Sequence, residues 1–367
     1  MLAKKINTLL VSIFIVLNIL YTTFRASPTD LLGVFMFGLL ICIIFLSFLS
    51  PNITQKKDII FLSILSLFFI FHLMFNTTSL LTIGLVMASV LFFIRLKYIQ
   101  LYPAFIGKII ILLFFVIVIF NTPELLTSLS TNTTDSMFSG IFDNPNSMAG
   151  FTTITVTASL FFIKDKKLLK ICFIFIIASL LACKSRNAIL FMISFIGLYV
   201  VLKSSFSKFT FHIFVIFIIF ALYYLIVIEP QSITTDAQMF GKESGSAGRS
   251  TQILLTIGHF PLTFFGVGYD VPNEYSISLT GYAIHNFYIN TIYAMGICYM
   301  AIYLYYIINI YKQLTQNIHK ALLLSSHIYF LFEPGTGFSI LMLNSLPLIL
   351  FSLKLNQEQY ENRTLHI

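Results

Sequence analysis

Long apolar runs parted by short polar breaks fill nearly the whole chain. They fall at about 6–24, 31–50, 58–75, 79–95, 104–120, 148–163, 168–183, 188–202, 209–228, 285–310, 319–333 and 336–353. About 20 apolar residues let a helix cross the hydrocarbon of a bilayer. Lipid offers no partner to an open backbone, so helix is the default for each run. The pattern predicts an all-α, polytopic integral membrane protein with 11–12 spans, built as one membrane domain over residues 1–367. The run at 319–333 is the weakest, because His319, Lys320, His327 and Glu333 interrupt it. Two polar stretches are long, 121–147 and 229–284. Stretches of that length usually have a task of their own. Both contain short apolar pieces and are expected to fold as short helices over the outer membrane face.

Composition agrees with lipid as the solvent. The chain is 58% hydrophobic and 10% charged, with mean hydropathy +0.93, whereas soluble domains carry about 25% charge. Cys42, Cys172, Cys183 and Cys298 all lie in apolar runs without metal-ligand spacing and read as packing residues. Lys4-Lys5 precedes the first run and no small-residue cleavage site follows it, so it reads as a retained span.

With the N-terminus in the cytoplasm, five of the 22 Lys and Arg residues fall outside: Arg25, Lys184, Arg186, Lys242 and Arg249. Of the acids, Asp58, Asp165, Glu358 and Glu361 fall inside and the rest outside. The asymmetry orients the chain with both termini in the cytoplasm. It also accounts for the +8 net charge without nucleic acid. The few outer cations therefore stand out, and three of the five sit in two short motifs.

Lys184 and Arg186 belong to KSRN, between two spans. Arg186 is either a helix-end cation snorkelling to the interface or a planar donor fork for phosphate oxygens. Arg249 opens STQILLTIGHF, a predicted short helix that ends before Pro261. A helix N-terminus attracts anions, and an arginine there supplies a second element of a phosphate site; the alternative is a solvated loop arginine. His285 begins a span, as a structural hydrogen bonder or as a general base for a hydroxyl. Gly296, in the same span, permits close approach of a helix or ligand. Asp143-Asn144-Pro145-Asn146 is either a helix-starting turn or the lip of a substrate cavity. Gly266-Val267-Gly268-Tyr269 is a glycine turn too short for a nucleotide loop. His327 and Glu333 are ionisable residues inside an apolar run. The sequence holds no HExxH or GxSxG motif and no paired acids of metal-site type.

Taken in order, NPN before a middle span, SR at the start of a later one, GR opening the large outer stretch, GVG, and HN-x9-G-x-x-Y resemble the O-antigen ligase and polymerase superfamily of bacterial polytopic membrane glycosyltransferases. The resemblance covers roughly residues 140–310, and its histidine motif fits the ligase form. Asn187 departs from it where the family often has glycine.

The resemblance implies an inner-membrane enzyme with a periplasmic active site. Its donor is a glycan on undecaprenyl diphosphate. Its acceptor hydroxyl lies on lipid A-core for a ligase, or on another repeat unit for a polymerase. Neither metal nor nucleotide sugar is implied. Arg186 and Arg249 would hold the diphosphate and His285 would activate the acceptor, with inversion at the anomeric carbon. Lys184, Asn144, Asn146, Asn286 and Tyr269 are the expected substrate-binding residues around them. A flippase or transporter is the competing class, and predicts two similar halves with broken spans in matching positions.

Overall fold

The structure is a computed structural model. It describes residues 2–23, 31–48, 56–76, 78, 80–131, 136–142, 144–204, 209–223, 249–281, 283–332 and 345–364. Among them the chain is helical with no strand. In order the helices are α1 (Leu2–Thr23), α2 (Leu31–Phe48), α3 (Lys56–Phe75), α4 (Leu80–Leu96), α5 (Pro103–Phe120), α6 (Thr122–Ser130), α7 (Pro145–Phe162), α8 (Lys166–Ala182), α9 (Arg186–Lys203), α10 (Thr210–Tyr223), α11 (Arg249–His259), α12 (Val271–Thr280), α13 (Phe287–Gln313), α14 (Asn317–Tyr329) and α15 (Leu346–Thr364). A 3-10 turn, Phe330–Phe332, follows α14.

Every expected apolar run carries a helix, but among the described residues five helices are long and apolar enough to cross a membrane by length and composition. They cover Ala3–Thr23, Asp58–Phe75, Pro103–Phe120, Arg186–Lys203 and Phe287–Gln313. Leu31–Ser47, Thr82–Leu96 and His212–Ala221 are apolar but shorter. At the last expected run, residues 336–344 lie outside the described residues. There α15 starts at Leu346 and continues as a polar helix through NQEQYENRT. Short helices do form in both long polar stretches: α6 in the first, α11 and α12 in the second. Residues 132–135, 143 and 224–248 of those stretches are outside the described residues.

The chain divides into two compact units. The first comprises Met1–Ile60, Leu85–Ala188 and Ser339–Ile367. Its centre is α7, which packs on α5, α8 and α15. Nearly all of α7 is buried, though it is rich in threonine. Thr152, Thr155 and Thr157 return their hydroxyls to the carbonyls of Met148, Phe151 and Thr153, one turn back. The hydroxyls are thus satisfied inside the helix. Small residues also let neighbours approach, and a Cβ on Gly107 of α5 would meet the Phe162 ring at 2.0 Å. At one end of this unit the cations expected in inside breaks are buried in a polar knot. Arg95 bonds the side chain and carbonyl of Ser47, and Lys97 pairs with Asp58 at 3.0 Å. Tyr98 donates to the same carboxylate. Asn356 caps the Leu96 and Ile99 carbonyls at 2.9 and 2.8 Å.

The second unit comprises Phe61–Gly84 and Ile189–Phe338. It is organised around α13. The rings of Phe61 and Phe68 on α3 pack on Tyr306 and Tyr299 of α13. Tyr303 is bonded to His327 Nε2 at 3.0 Å, and His327 Nδ1 to the Leu323 carbonyl at 2.8 Å. His327 is thus a buried structural link between α13 and α14; Glu333 lies outside the described residues.

Midway along, α13 breaks at Gly296, where φ is +89° and ψ +172°. The break removes the bonds that would have run from Ile297 N to Tyr293 O and from Cys298 N to Ala294 O. All four groups find partners in the segment between α11 and α12. Val267 N donates to Tyr293 O at 2.9 Å and Gly268 N to Ala294 O at 3.0 Å. Ile297 N donates to Thr263 O at 3.1 Å and Cys298 N to Phe264 O at 3.2 Å.

Two backbones this close leave no room for side chains. A Cβ on Gly296 would meet Phe264 O at 2.3 Å, and one on Gly266 would meet Ala294 O at 2.2 Å. From α3, His72 Nδ1 and Asn76 Nδ2 bond the Phe265 carbonyl at 2.6 and 3.1 Å. The Tyr269 N–H donates to Thr78 Oγ1, which bonds His72 Nε2 at 2.9 Å. A carbonyl can only accept, so Nδ1 carries the proton and Nε2 accepts from the hydroxyl.

Gly296→Ala and Gly266→Ala should therefore each destabilise the purified protein by at least about 2 kcal/mol, through clash and positive-φ strain. Gly258→Ala, on α11 with open space around its Cβ position, should be neutral or mildly stabilising. Thermal unfolding in detergent reads all three, and equal melting temperatures across the set would sink the backbone-exchange account.

Candidate functional site

The sequence-predicted residues fall into two groups, one in each unit. In the first unit the NPN and KSRN motifs meet. Asn144 caps α7, its Oδ1 accepting from Ser147 N at 2.9 Å, with Pro145 as the first helical residue. This is the helix-start reading of Asn144, made by a residue type suited to it. Asn146 Oδ1 accepts from Ser185 Oγ at 3.3 Å, which brings the start of α7 to the start of α9. Arg186 is the first residue of α9 and is half-buried.

Lys184 takes a backbone φ of +49° and is buried. Its ammonium donates to Thr131 O at 2.7 Å and reaches Ser136 O at 3.4 Å. Glu124 accepts from Ser139 N and Oγ at 2.7 and 3.0 Å. Lys184, expected to bind substrate, thus secures the chain between α6 and α7 through that chain's own carbonyls.

In the second unit α11 begins at Arg249, as the sequence predicts; the Arg249 side chain and residues 241–248 lie outside the described residues. One turn on, Gln252 is buried on the inward face beside Ile253 and Thr256. Its Oε1 accepts from His285 N at 3.2 Å. Asn273 of α12 likewise accepts from Ile284 N at 3.0 Å. These two bonds hold the extended stretch before α13 against both short helices. Ile253 then packs with Ile289 and Tyr293, so α11 lies on the first turns of α13.

Asn286 is fully buried and caps α13. Its Oδ1 accepts from Ile289 N and its Nδ2 donates to Leu331 O, both at 2.9 Å. Tyr269 enters through its main chain, which donates to Thr78.

Gln252, Asn273, His72 and Thr78 carry this arrangement and were not singled out in the sequence. Gln252 had a readable signal, a polar residue on the apolar face of an amphipathic helix. The others had none, since their partners are distant in sequence.

No protein-family model and no curated protein matches the chain. The site is therefore read from its own chemistry. Two helix starts meet in the first unit with an arginine on one of them. In the second unit a helix opened by an arginine is bonded, through Gln252, to the main chain of a histidine. Helix N-termini carry N–H groups without intrahelical partners and favour anions. Among the described residues no cluster of His, Cys, Asp and Glu could hold a metal ion.

Asn286→Ala should lower stability by about 1–3 kcal/mol, because it removes a helix cap and strands the buried Leu331 carbonyl. Asn286→Asp keeps the cap acceptor but sets a buried carboxylate oxygen against the Leu331 carbonyl, and should be no more stable than alanine. Thermal unfolding of the three proteins tests this, and unchanged stability in Asn286→Ala would sink the capping role.

Proposed function

We propose that the chain is a membrane glycosyltransferase that moves a glycan from undecaprenyl diphosphate to an acceptor hydroxyl on the outer side of the bacterial inner membrane, most closely an O-antigen ligase. The observation that carries this reading is the 3.2 Å bond from His285 N to Gln252 Oε1. It ties a histidine at the mouth of a span to the first turn of the helix that Arg249 opens. An anion-favouring helix end and a candidate base are then tied by a direct hydrogen bond, which suits a phosphate leaving group beside a hydroxyl nucleophile. Arg186 enters on the sequence resemblance, with its place at the first residue of α9 in support.

The chemistry is a single displacement. The bond from the anomeric carbon to the diphosphate oxygen breaks and its electron pair stays on the diphosphate. The arginines and the helix N–H groups stabilise that developing charge. The acceptor oxygen attacks from the opposite face and inverts the centre, while the His285 imidazole takes its proton.

One observation bears on the transporter reading, the broken helix α13. Carriers use such breaks to offer unwound backbone groups to cargo. Here the Tyr293 and Ala294 carbonyls and the Ile297 and Cys298 N–H groups are bonded to residues 263–268, so they are already engaged. A repeat-unit polymerase shares the chemistry and differs in the acceptor. Deleting the gene separates the two on a lipopolysaccharide gel. Loss of a ligase leaves complete core without O-chains, and loss of a polymerase leaves core bearing one repeat unit. Unaltered lipopolysaccharide would overturn both.

In proteoliposomes with purified lipid-linked donor, His285→Ala should slow transfer by about 10²–10⁴-fold, and His285→Gln by as much, with donor binding retained. The neutral imidazole is the form that can take the proton. A near-normal rate in His285→Gln would leave the chemistry without its base. Arg249→Lys and Arg186→Lys should each retain little activity, because a point charge does not reproduce a bidentate contact. Full activity in either would remove that arginine from the diphosphate clamp.

A further inference from the structure

The segment between α11 and α12 belongs, by sequence, to a polar stretch expected to lie over the membrane face. Its bonding puts it deeper. Thr263 and Phe264 accept from Ile297 and Cys298, and Ile297 lies ten residues beyond the start of α13 at Phe287. At 1.5 Å per residue that is about 15 Å along the helix. All 27 residues of α13 measure about 40 Å, against a hydrocarbon layer of about 30 Å. Even if the whole excess of about 10 Å overhangs at the Phe287 end, Ile297 is inside the hydrocarbon.

A second helix gives the same depth. The Phe265 ring lies 5.9 Å from Phe68 and 5.3 Å from Phe75, so it covers the last two turns of the span ending at Phe75. Both arms of the segment return to the same end of α13, through Gln252 and Asn273.

Seven backbone groups of the segment are paired. The carbonyls of Thr263, Phe264, Phe265 and Gly266 and the N–H groups of Val267, Gly268 and Tyr269 all have partners within this unit. Irregular backbone at membrane depth is tolerated where it is buried against protein partners in this way. The side chains turned outward are apolar. Phe264 is 67% exposed and Leu262 52%. Beside them on α3 stand Met74 at 70% and Phe75 at 66%, the latter stacked on Phe265. Through the Phe265 ring the segment adjoins the exposed apolar end of that helix.

We propose that residues 261–269 form a re-entrant loop in the bilayer, with Leu262 and Phe264 in contact with the acyl chains of the surrounding lipid. The loop is a lipid-contact surface of the chain, and it fastens α11 and α12 to the break in α13. This assignment rests on the membrane-spanning character of α3 and α13 and is independent of the transferase reading.

The chain contains no tryptophan, so a single one reports its own surroundings. Phe264→Trp and Leu262→Trp are reconstituted in proteoliposomes of phosphatidylcholine brominated either on the acyl chains or near the headgroup. Leu112→Trp, exposed on the span α5, is the lipid-facing reference. Folding of each variant is checked by its melting temperature against wild type, and the two loop positions back each other up. Blue-shifted emission, strong quenching by acyl-chain bromine and weak quenching by acrylamide are expected at both, as at Leu112→Trp. Strong acrylamide quenching would put the loop in water. Quenching mainly by headgroup bromine would put it at the interface. Blue-shifted emission insensitive to every quencher would mean a protein surface covers it. Each of these three results overturns the proposal.

Discussion

Hydrocarbon supplies no hydrogen bonds, and the second unit is built around the one place where α13 breaks that rule. A helix crossing lipid normally pairs its own N–H and C=O groups, and each one left open costs several kcal/mol. Gly296 opens two such bonds at membrane depth. The segment Thr263–Gly268 closes all four groups with four bonds of its own, so the exchange gives two elements one shared backbone network. Gly296 and Gly266 have to be glycines for the strands of backbone to come within bonding distance.

That exchange fixes what lies on either side of it. The segment 263–268 joins α11 to α12, so seating it against α13 carries both short helices to the same span. The bonds from Gln252 to His285 and from Asn273 to Ile284 then set the stretch before α13. The position of His285 relative to the helix opened by Arg249 thus depends on a glycine nine residues past the start of α13. The first unit meets the same constraint by other means. Threonines of α7 bond within their own helix, and Arg95, Lys97 and Asp58 close a buried knot. Such a knot is weak evidence of net stability, because desolvating its charges offsets their attraction. It does fix which ends of α2, α3, α4 and α15 meet.

The helices were legible because apolar runs of this length have one solution in lipid. The starts of α7 and α11 were legible too, since Asn-Pro and a glycine followed by Arg-Ser are local helix-start signals. The expected number of crossings is not confirmed among the described residues. Threonine-rich α7 is buried without being apolar enough to qualify by composition, and α15 runs on past its apolar stretch as a polar helix. In the candidate site, sequence marked Gly296 as a point of close approach without showing what approaches. It named Lys184 and Asn286 as substrate-binding residues, but it did not show that Lys184 bonds carbonyls of its own chain or that Asn286 caps a helix and bonds the Leu331 carbonyl. Local pattern reveals a residue's type and face. It does not reveal a carbonyl tens of residues away.

The two motif arginines share one feature that local stability does not explain. Arg186 is the first residue of α9 and Arg249 the first of α11, and neither helix has an acid in its first turn. The macrodipole puts partial positive charge there, so a cation is misplaced by about 0.3–1 kcal/mol where an acid would be favoured by as much. The helix Lys166–Ala182 likewise opens on two lysines with no acid in its first turn, though Asp165 caps it, whereas no acid directly precedes Arg186 or Arg249. A bound anion reverses the sign of both terms at once. It meets the guanidinium and the helix end as partners, and it relieves their mutual repulsion. Each of these helix starts, taken by itself, therefore favours an anion with several oxygens.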